Sequence, residues 1–250
     1  MHPSALVTTR KVEASRQVFL CIPGTYCSPV VFETLDETLF PEVQLLPLSW
    51  MTSPGPWDIP ALGQRVALFL QELGTGPVLL AGHSTGGAIA LAAAAAAPEL
   101  VSGLLLLDTG ANMHGHGDVS SIISLIEQGP GQEFFQALLR RSFYHQPDAS
   151  RLEQLGAYAS AVPGEAALQA LKSQAALDLT DVLATLQMPA VVVHGRYDQA
   201  RPIAHAEWLV KHLPHAELIL LDCGHTPMVE IPSAYQQAIQ RLLTMVQASF

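Results

Sequence analysis

Short apolar runs alternate along the chain with stretches whose apolar positions recur every three or four residues. QVFLCI (17–22), VQLLPLSW (43–50), PVLLAG (77–82), the run over 102–110 that contains LLLLD, AVVVHG (190–195) and ELILLDCG (217–224) read as strands. Pro47 places the second of these at a sheet edge or ends it early, because proline cannot donate to a ladder. Between the strands, the spacing predicts a helix over 29–38 and one from the N-cap Asp58 to Leu73, with Val66, Phe69 and Leu73 on one face. Further helices are expected over 85–97, stopped by Pro98, over 203–213 and over 232–248. Strands that are apolar on both faces and separated by helices form a parallel sheet covered on both sides, so the expected class is α/β with a mostly parallel central sheet.

The alternation breaks over 111–182, which has no strong strand pattern and carries the helical stretches SSIISLIEQ, EFFQALLRR and AALQALKSQAAL. We read it as a helical cap inserted over a core made of 1–110 and 183–250. The alanine run 92–97 suits a helix packed close against a sheet, where only small side chains fit.

Composition narrows the function classes. Hydrophobic residues make up 49% of the 250 and charged residues 14%, which is a core-rich globule rather than a disordered chain. The formal charge of −10, with 12 scattered Lys and Arg, argues against a nucleic-acid partner. Three cysteines without metal-type spacing suit a reducing compartment. The start, MHPSALVTTRKVEASR, lacks the apolar segment of a secretory leader, and the most apolar stretch (78–98) is interrupted by GHSTGG, so no membrane span is expected and the setting is the cytoplasm.

GHSTGG (82–87) lies where a strand gives way to a helix. A serine hydroxyl attacks only if a base takes its proton and donors hold the resulting oxyanion. A sharp strand-to-helix turn would lift Ser84 above the sheet, Gly82 and Gly86 would relieve the crowding there, and the helix N-terminus would offer N–H groups to negative charge. An acid and a histidine should follow in that order on later strand ends. Asp198 in HGRYDQARP and His225 in LDCGHTPMVEIP stand at those places.

With GHSTGG as nucleophile elbow, GRYDQARP as acid loop and GHTPMVEIP as histidine loop, the chain resembles the α/β-hydrolase family over 16–248, its helical cap inserted after the strand ending near Asp108. The resemblance implies that Ser84 attacks an acyl carbonyl, His225 shuttles its proton and Asp198 orients the imidazole. It implies oxyanion donors at the backbone N–H of Thr85 and of Thr25, on the loop after the first strand. Many relatives have His-Gly where this chain has Pro23-Gly24. The implied activity is cofactor-independent cleavage of an ester, lactone or thioester of a small, largely apolar acyl substrate. Carbon–carbon hydrolysis, aminopeptidase action, acyl transfer and non-catalytic ligand binding stay open. Epoxide and haloalkane hydrolysis are disfavoured, since they need aspartate at Ser84.

Other residues compete for roles. Asp108 is the rival acid, read as a capping or turn residue. His83 is read as packing beside the nucleophile and His194 as a hydrogen-bonded structural residue. His114 and His116, with a nearby aspartate, suggest a metal site but lack a third and fourth ligand, so no metal is expected and both are placed at the cap entrance. His145, His205, His212 and His215 are read as surface positions, and Cys223 as a small buried residue. Tyr26, Trp50, His114 and Phe135 are the candidate substrate contacts, with Trp57, Phe134 and Tyr144 as further aromatics for an acyl pocket.

Overall fold

The computed structural model describes residues 6–13, 15–117 and 119–249. Residues 1–5, where the leader reading begins, and Asp118, the acid of the metal reading, lie outside the described residues. The first half of the chain runs through β1 (Gln17–Ile22), β2 (Val43–Pro47), α1 (Ile59–Leu73), β3 (Val78–His83), α2 (Thr85–Ala96) and β4 (Val101–Leu107). Five helices follow, α3 (Val119–Glu127), α4 (Gln132–Ser142), α5 (Ala149–Ala161), α6 (Gly164–Ala176) and α7 (Thr180–Leu183). The chain then completes β5 (Ala190–Gly195), α8 (Ala204–His212), β6 (Ala216–Leu221), α9 (Pro227–Glu230) and α10 (Pro232–Gln247).

The strands pair in the order β2-β1-β3-β4-β5-β6, every pairing parallel. Side chains alternate between two buried faces: Val18, Leu20 and Ile22 of β1 join the core under α1 and α2, whereas Phe19 and Cys21 join Tyr235, Ile239 and Leu242 of α10. Between β1 and β3 the strand order changes direction. In open parallel sheets this switch leaves a crevice at the carboxyl ends of the strands. The loop after β1 and the turn after β3 both end there.

Several elements differ from expectation for local reasons. The helix predicted over 29–38 is two short 3-10 turns, Pro29–Thr34 and Glu37–Leu39, separated where the Asp36 side chain accepts from the Thr38 N–H and starts a new turn. β2 is an edge strand that ends at Pro47. β4 ends at Leu107 because Asp108 turns to φ +45°. Between β4 and β5 lie two helices beyond the three expected, α5, whose N-cap Asp148 accepts from Arg151 N–H, and the short α7. Asp58 caps α1 as expected, accepting from Ala61 N–H at 3.0 Å. Among the described residues no helix is long and apolar enough to cross a membrane, and Cys21, Cys27 and Cys223 are all unpaired.

Candidate active site

Ser84 sits between β3 and α2 at φ +53°, a conformation that costs a residue with a Cβ about 1–3 kcal/mol and persists only where the surroundings impose it. Here they do. Ser84 N–H donates to Leu107 O at 2.9 Å, and Ser84 O accepts from Gly87 N–H at 3.0 Å and from the Thr109 hydroxyl at 2.6 Å. Glycine is required around it: a Cβ on Gly86 would lie 2.0 Å from Ile22 O, and one on Gly24 would lie 2.9 Å from the Ser84 Cβ. The Pro23-Gly24 loop therefore presses its backbone directly against the serine. Trp50 Nε1–H pins that loop by donating to Pro23 O at 2.8 Å.

His225 follows β6. Its Nδ1–H donates to Asp198 Oδ2 at 2.7 Å, which leaves Nε2 with its lone pair. The side chain of Asp198, in the loop after β5, is fully buried, and its Oδ1 accepts from Ala200 N–H at 2.6 Å and Arg201 N–H at 3.0 Å. Burial works to raise this carboxyl, but the His225 imidazole and the backbone donors outweigh it and hold Asp198 below the ordinary carboxylate range. Ser84 and His225 line one cavity of about 120 Å³, together with Thr25, Tyr26, Thr85 and a wall from the insertion that includes Ile122, Phe134, Leu138 and Leu171.

The rival acid is part of this cluster. Asp108 is fully buried, its Oδ1 accepts from Gly195 N–H at 2.8 Å, and one oxygen lies within 4.8 Å of Asp198 and His225 ligand atoms. Burial, then the neighbouring Asp198 charge, push its carboxyl well above the usual range, in the direction opposite to Asp198. Its hydrogen bond fastens the end of β4 to β5, which is more than the turn role expected of it. Arg201, buried beside them, donates through Nη1 to His205 Nδ1 at 2.7 Å, and burial lowers it to about 10.

His83 does more than pack. Its Nε2–H donates to the His225 backbone carbonyl at 2.8 Å, so it braces the loop that carries His225. Burial lowers it to about 3 and keeps it neutral. His194 donates to Arg201 O at 3.2 Å, as a structural residue would. His205, expected at the surface, is buried, because its Nε2–H reaches His114 O at 2.7 Å while Nδ1 takes the Arg201 proton. Cys223 is buried, as expected.

Three candidate substrate contacts are not in the cavity wall. Trp50 is 0% exposed and is used up in holding the Pro23 carbonyl. The ring of Phe135 is buried against Tyr26, with centroids 5.2 Å apart, and it is Phe134 that lines the cavity. The His114 side chain is 81% exposed, with Nδ1 3.9 Å from Asp178, and it is His116 that faces inward. Tyr26 does line the cavity. Trp57 and Tyr144 do not. Among the described residues, the potential metal ligands that converge are Asp108, Asp198 and His225, rather than the two histidines at 114 and 116.

Sequence reasoning missed Arg201, Met113 and Gln174, all of which line the cavity. Gln174 was detectable in principle, since it continues the buried face of α6 formed by Ala166, Ala167 and Ala170 and is a polar residue at a core position. Also missed was Glu230. Its carboxylate accepts from the N–H groups of Gly224 and Thr226 in the histidine loop, and of Tyr144 and His145 just after α4. Nearby, His225 N–H and the Thr226 hydroxyl both donate to Ser142 O, at 3.1 and 3.2 Å.

Comparison with known proteins agrees with this geometry. Residues 52–232 match the model of the alpha/beta hydrolase fold. The chain is 28% identical over 174 residues to a pimeloyl-[acyl-carrier protein] methyl ester esterase of Nitrosomonas europaea, spanning 64% of this chain and 69% of that protein. It is 23% identical to 3-oxoadipate enol-lactonase 2 of Acinetobacter baylyi, over 77% of this chain and 73% of that one. A solved hydrolase of Pseudomonas aeruginosa superposes with a TM-score of 0.84 at 21% identity, covering 95% of this chain and 94% of its own. With an all-parallel sheet, a strained serine at its switch point and a matched span of this extent, the chain belongs to the alpha/beta hydrolase fold family.

Proposed function

We propose that this chain is a serine hydrolase that cleaves a carboxylic ester, lactone or thioester of a small, largely apolar substrate through an acyl-enzyme on Ser84. The observation that carries the reading is the pairing in one apolar cavity of a strained Ser84 with His225, whose Nδ1 is held 2.7 Å from the buried Asp198. His225 Nε2 takes the Ser84 proton as Oγ attacks the carbonyl carbon, then returns it to the leaving oxygen or sulfur. Water enters by the same base and releases the acid. The backbone N–H groups of Thr85 and Thr25 face the developing oxyanion. The relatives named as a methyl ester esterase and an enol-lactonase support the ester and lactone classes. We assign residues 111–182 the role of cap, supported by the apolar cavity wall they supply. The three unpaired cysteines support a reducing setting, the cytoplasm.

The test is labelling with a fluorophosphonate together with turnover of p-nitrophenyl butyrate. Wild type should be labelled once and turn the ester over, and Ser84→Ala should lose both. A wild-type protein that does neither, or an alanine variant that keeps full activity, overturns the reading.

A further inference from the structure

Among the polar groups of the cavity wall, one chain of hydroxyls and an amide links the sheet side to the insertion. Thr25 Oγ1–H donates to Thr85 Oγ1 at 2.9 Å, and Thr85 Oγ1–H donates in turn to Gln174 Oε1 at 3.0 Å. This relay joins the side chains of the two proposed oxyanion residues to helix α6 of the insertion. It also fixes the amide: with Oε1 turned to Thr85, Nε2 is the group left over. Gln174 is 3% exposed and lines the cavity, and its buried Nε2 has no hydrogen-bond partner among the described residues.

A buried amide N–H without a protein partner loses its hydration for nothing in return, and such groups call for an explanation. Bracing Thr85 uses only the oxygen and leaves the nitrogen unaccounted for. We infer that Gln174 is a specificity-determining residue, whose Nε2–H donates to an accepting oxygen carried by the substrate's acyl chain near the scissile carbonyl. The inference rests on the ester-cleaving reading above and narrows it. The acyl group is not plain hydrocarbon but bears an ether, keto or similar oxygen close to the reacting end, with apolar chain beyond it against Phe134 and Leu138. A site built around a buried donor discriminates against an analogue that lacks the acceptor, because the donor is then left unpaired.

The experiment compares kcat/KM for isosteric pairs of p-nitrophenyl esters, methoxyacetate against butyrate and 3-methoxypropanoate against pentanoate, in wild type, Gln174→Leu and Gln174→Glu. Dividing each variant by wild type on the same ester cancels the intrinsic reactivity of the oxygen-bearing acyl groups. Gln174→Leu should lose about three- to tenfold more on the oxygen-bearing member of at least one pair than on its all-carbon partner, chiefly in KM. Gln174→Glu, assayed at a pH where the new carboxyl is ionised, keeps an oxygen for the Thr85 hydroxyl and removes the donor. Whatever its general loss, it should lose more on the oxygen-bearing ester than on the all-carbon partner, and that ratio decides the matter if the leucine variant folds poorly. Equal losses on both members of each pair would mean that Gln174 only braces Thr85, and the inference falls. No selective loss in either pair overturns it as well. If wild type leaves Ser84 unlabelled and turns over no ester, the ester-cleaving reading has failed and takes this one with it. Turnover of butyrate without selectivity sinks this inference alone.

Discussion

Helices α2 and α3 both contribute to the cavity wall, through Thr85 and Ile122, yet nine of the twelve residues of α2 are buried and only Ile126 of α3 is. α2 is wedged between the sheet and α1, so it is built mostly of alanine and glycine, with Ile89 and Leu91 as its large buried side chains. α3 contributes Val119 and Ile122 to the cavity wall, and more than half of its residues are exposed. The same division holds for what each side contributes. Ser84 and Asp198 follow the fully buried strands β3 and β5 and His225 follows the half-buried β6, while Ile122, Phe134, Leu138 and Leu171 come from the insertion and are only partly buried. Catalytic groups need positions fixed to a fraction of an ångström, which a packed sheet provides, whereas a pocket wall needs shape and tolerates movement. Substitutions on the sheet side should therefore act on the chemical step, and those on the insertion side on binding.

The sharpest break in that division would be Ser84→Ala retaining turnover; we expect a loss of about 10⁵-fold in kcat, read from p-nitrophenyl ester hydrolysis. Asp198→Asn should cost about 10³- to 10⁴-fold, because the imidazole then loses the partner that holds its tautomer. Asp108→Asn should stay within about tenfold of wild type by the same assay, since an amide oxygen still accepts from Gly195 and burial already disfavours the charged form of the native carboxyl. If the two variants rank the other way, the acid has been misassigned. Gly86→Ala drives a methyl into the Ile22 carbonyl and should cost about 1–3 kcal/mol of stability in a urea titration, with a fall in kcat. On the insertion side, Phe134→Ala should raise KM for the hexanoate ester about five- to twentyfold and leave kcat within about threefold. An equal fall in kcat would blur the distinction between the two sides.

The smallest effect is one of pH. Burial lowers His83 and His116 from 6.5 to about 3 and His194 to about 4. Near pH 7 each is neutral in both folded and unfolded chains. As pH falls below 6.5 the unfolded chain takes up protons that the folded chain refuses, so stability is present above that pH and drains away towards pH 3–4. Urea midpoints should drop steadily from pH 7 to 4.5. His83→Gln and His116→Gln should each flatten that slope.

Much of the sheet side was legible in the sequence. Its strands are apolar on both faces and its loops carry serine, aspartate and histidine just where the strands end, so period and position suffice to place them. The insertion was less legible for a physical reason. Its helices bury one narrow stripe or a single residue, and α5 contains Gly156 and Ser160, so its periodicity is weak. The aromatic residues show the limit most clearly. Phe134 and Phe135 are neighbours, and only the rotation of α4 decides which one faces the cavity, a matter of about 100° per residue that composition does not encode. Trp50 misled because a large aromatic near the site can serve as a hydrogen-bonded prop for a loop just as well as a binding surface.

Glu230 bears on how such enzymes can be rebuilt. It stands in the core part of the sequence, yet it holds the amides of Tyr144 and His145 as well as those of the histidine loop, and Ser142 of the insertion returns the favour by receiving the His225 amide. The insertion is thus not a removable module. A chimera that imports a different cap must also bring a carbonyl at the Ser142 position and two amides within reach of residue 230, or the transplanted enzyme will bind a new substrate above a base that has lost its footing.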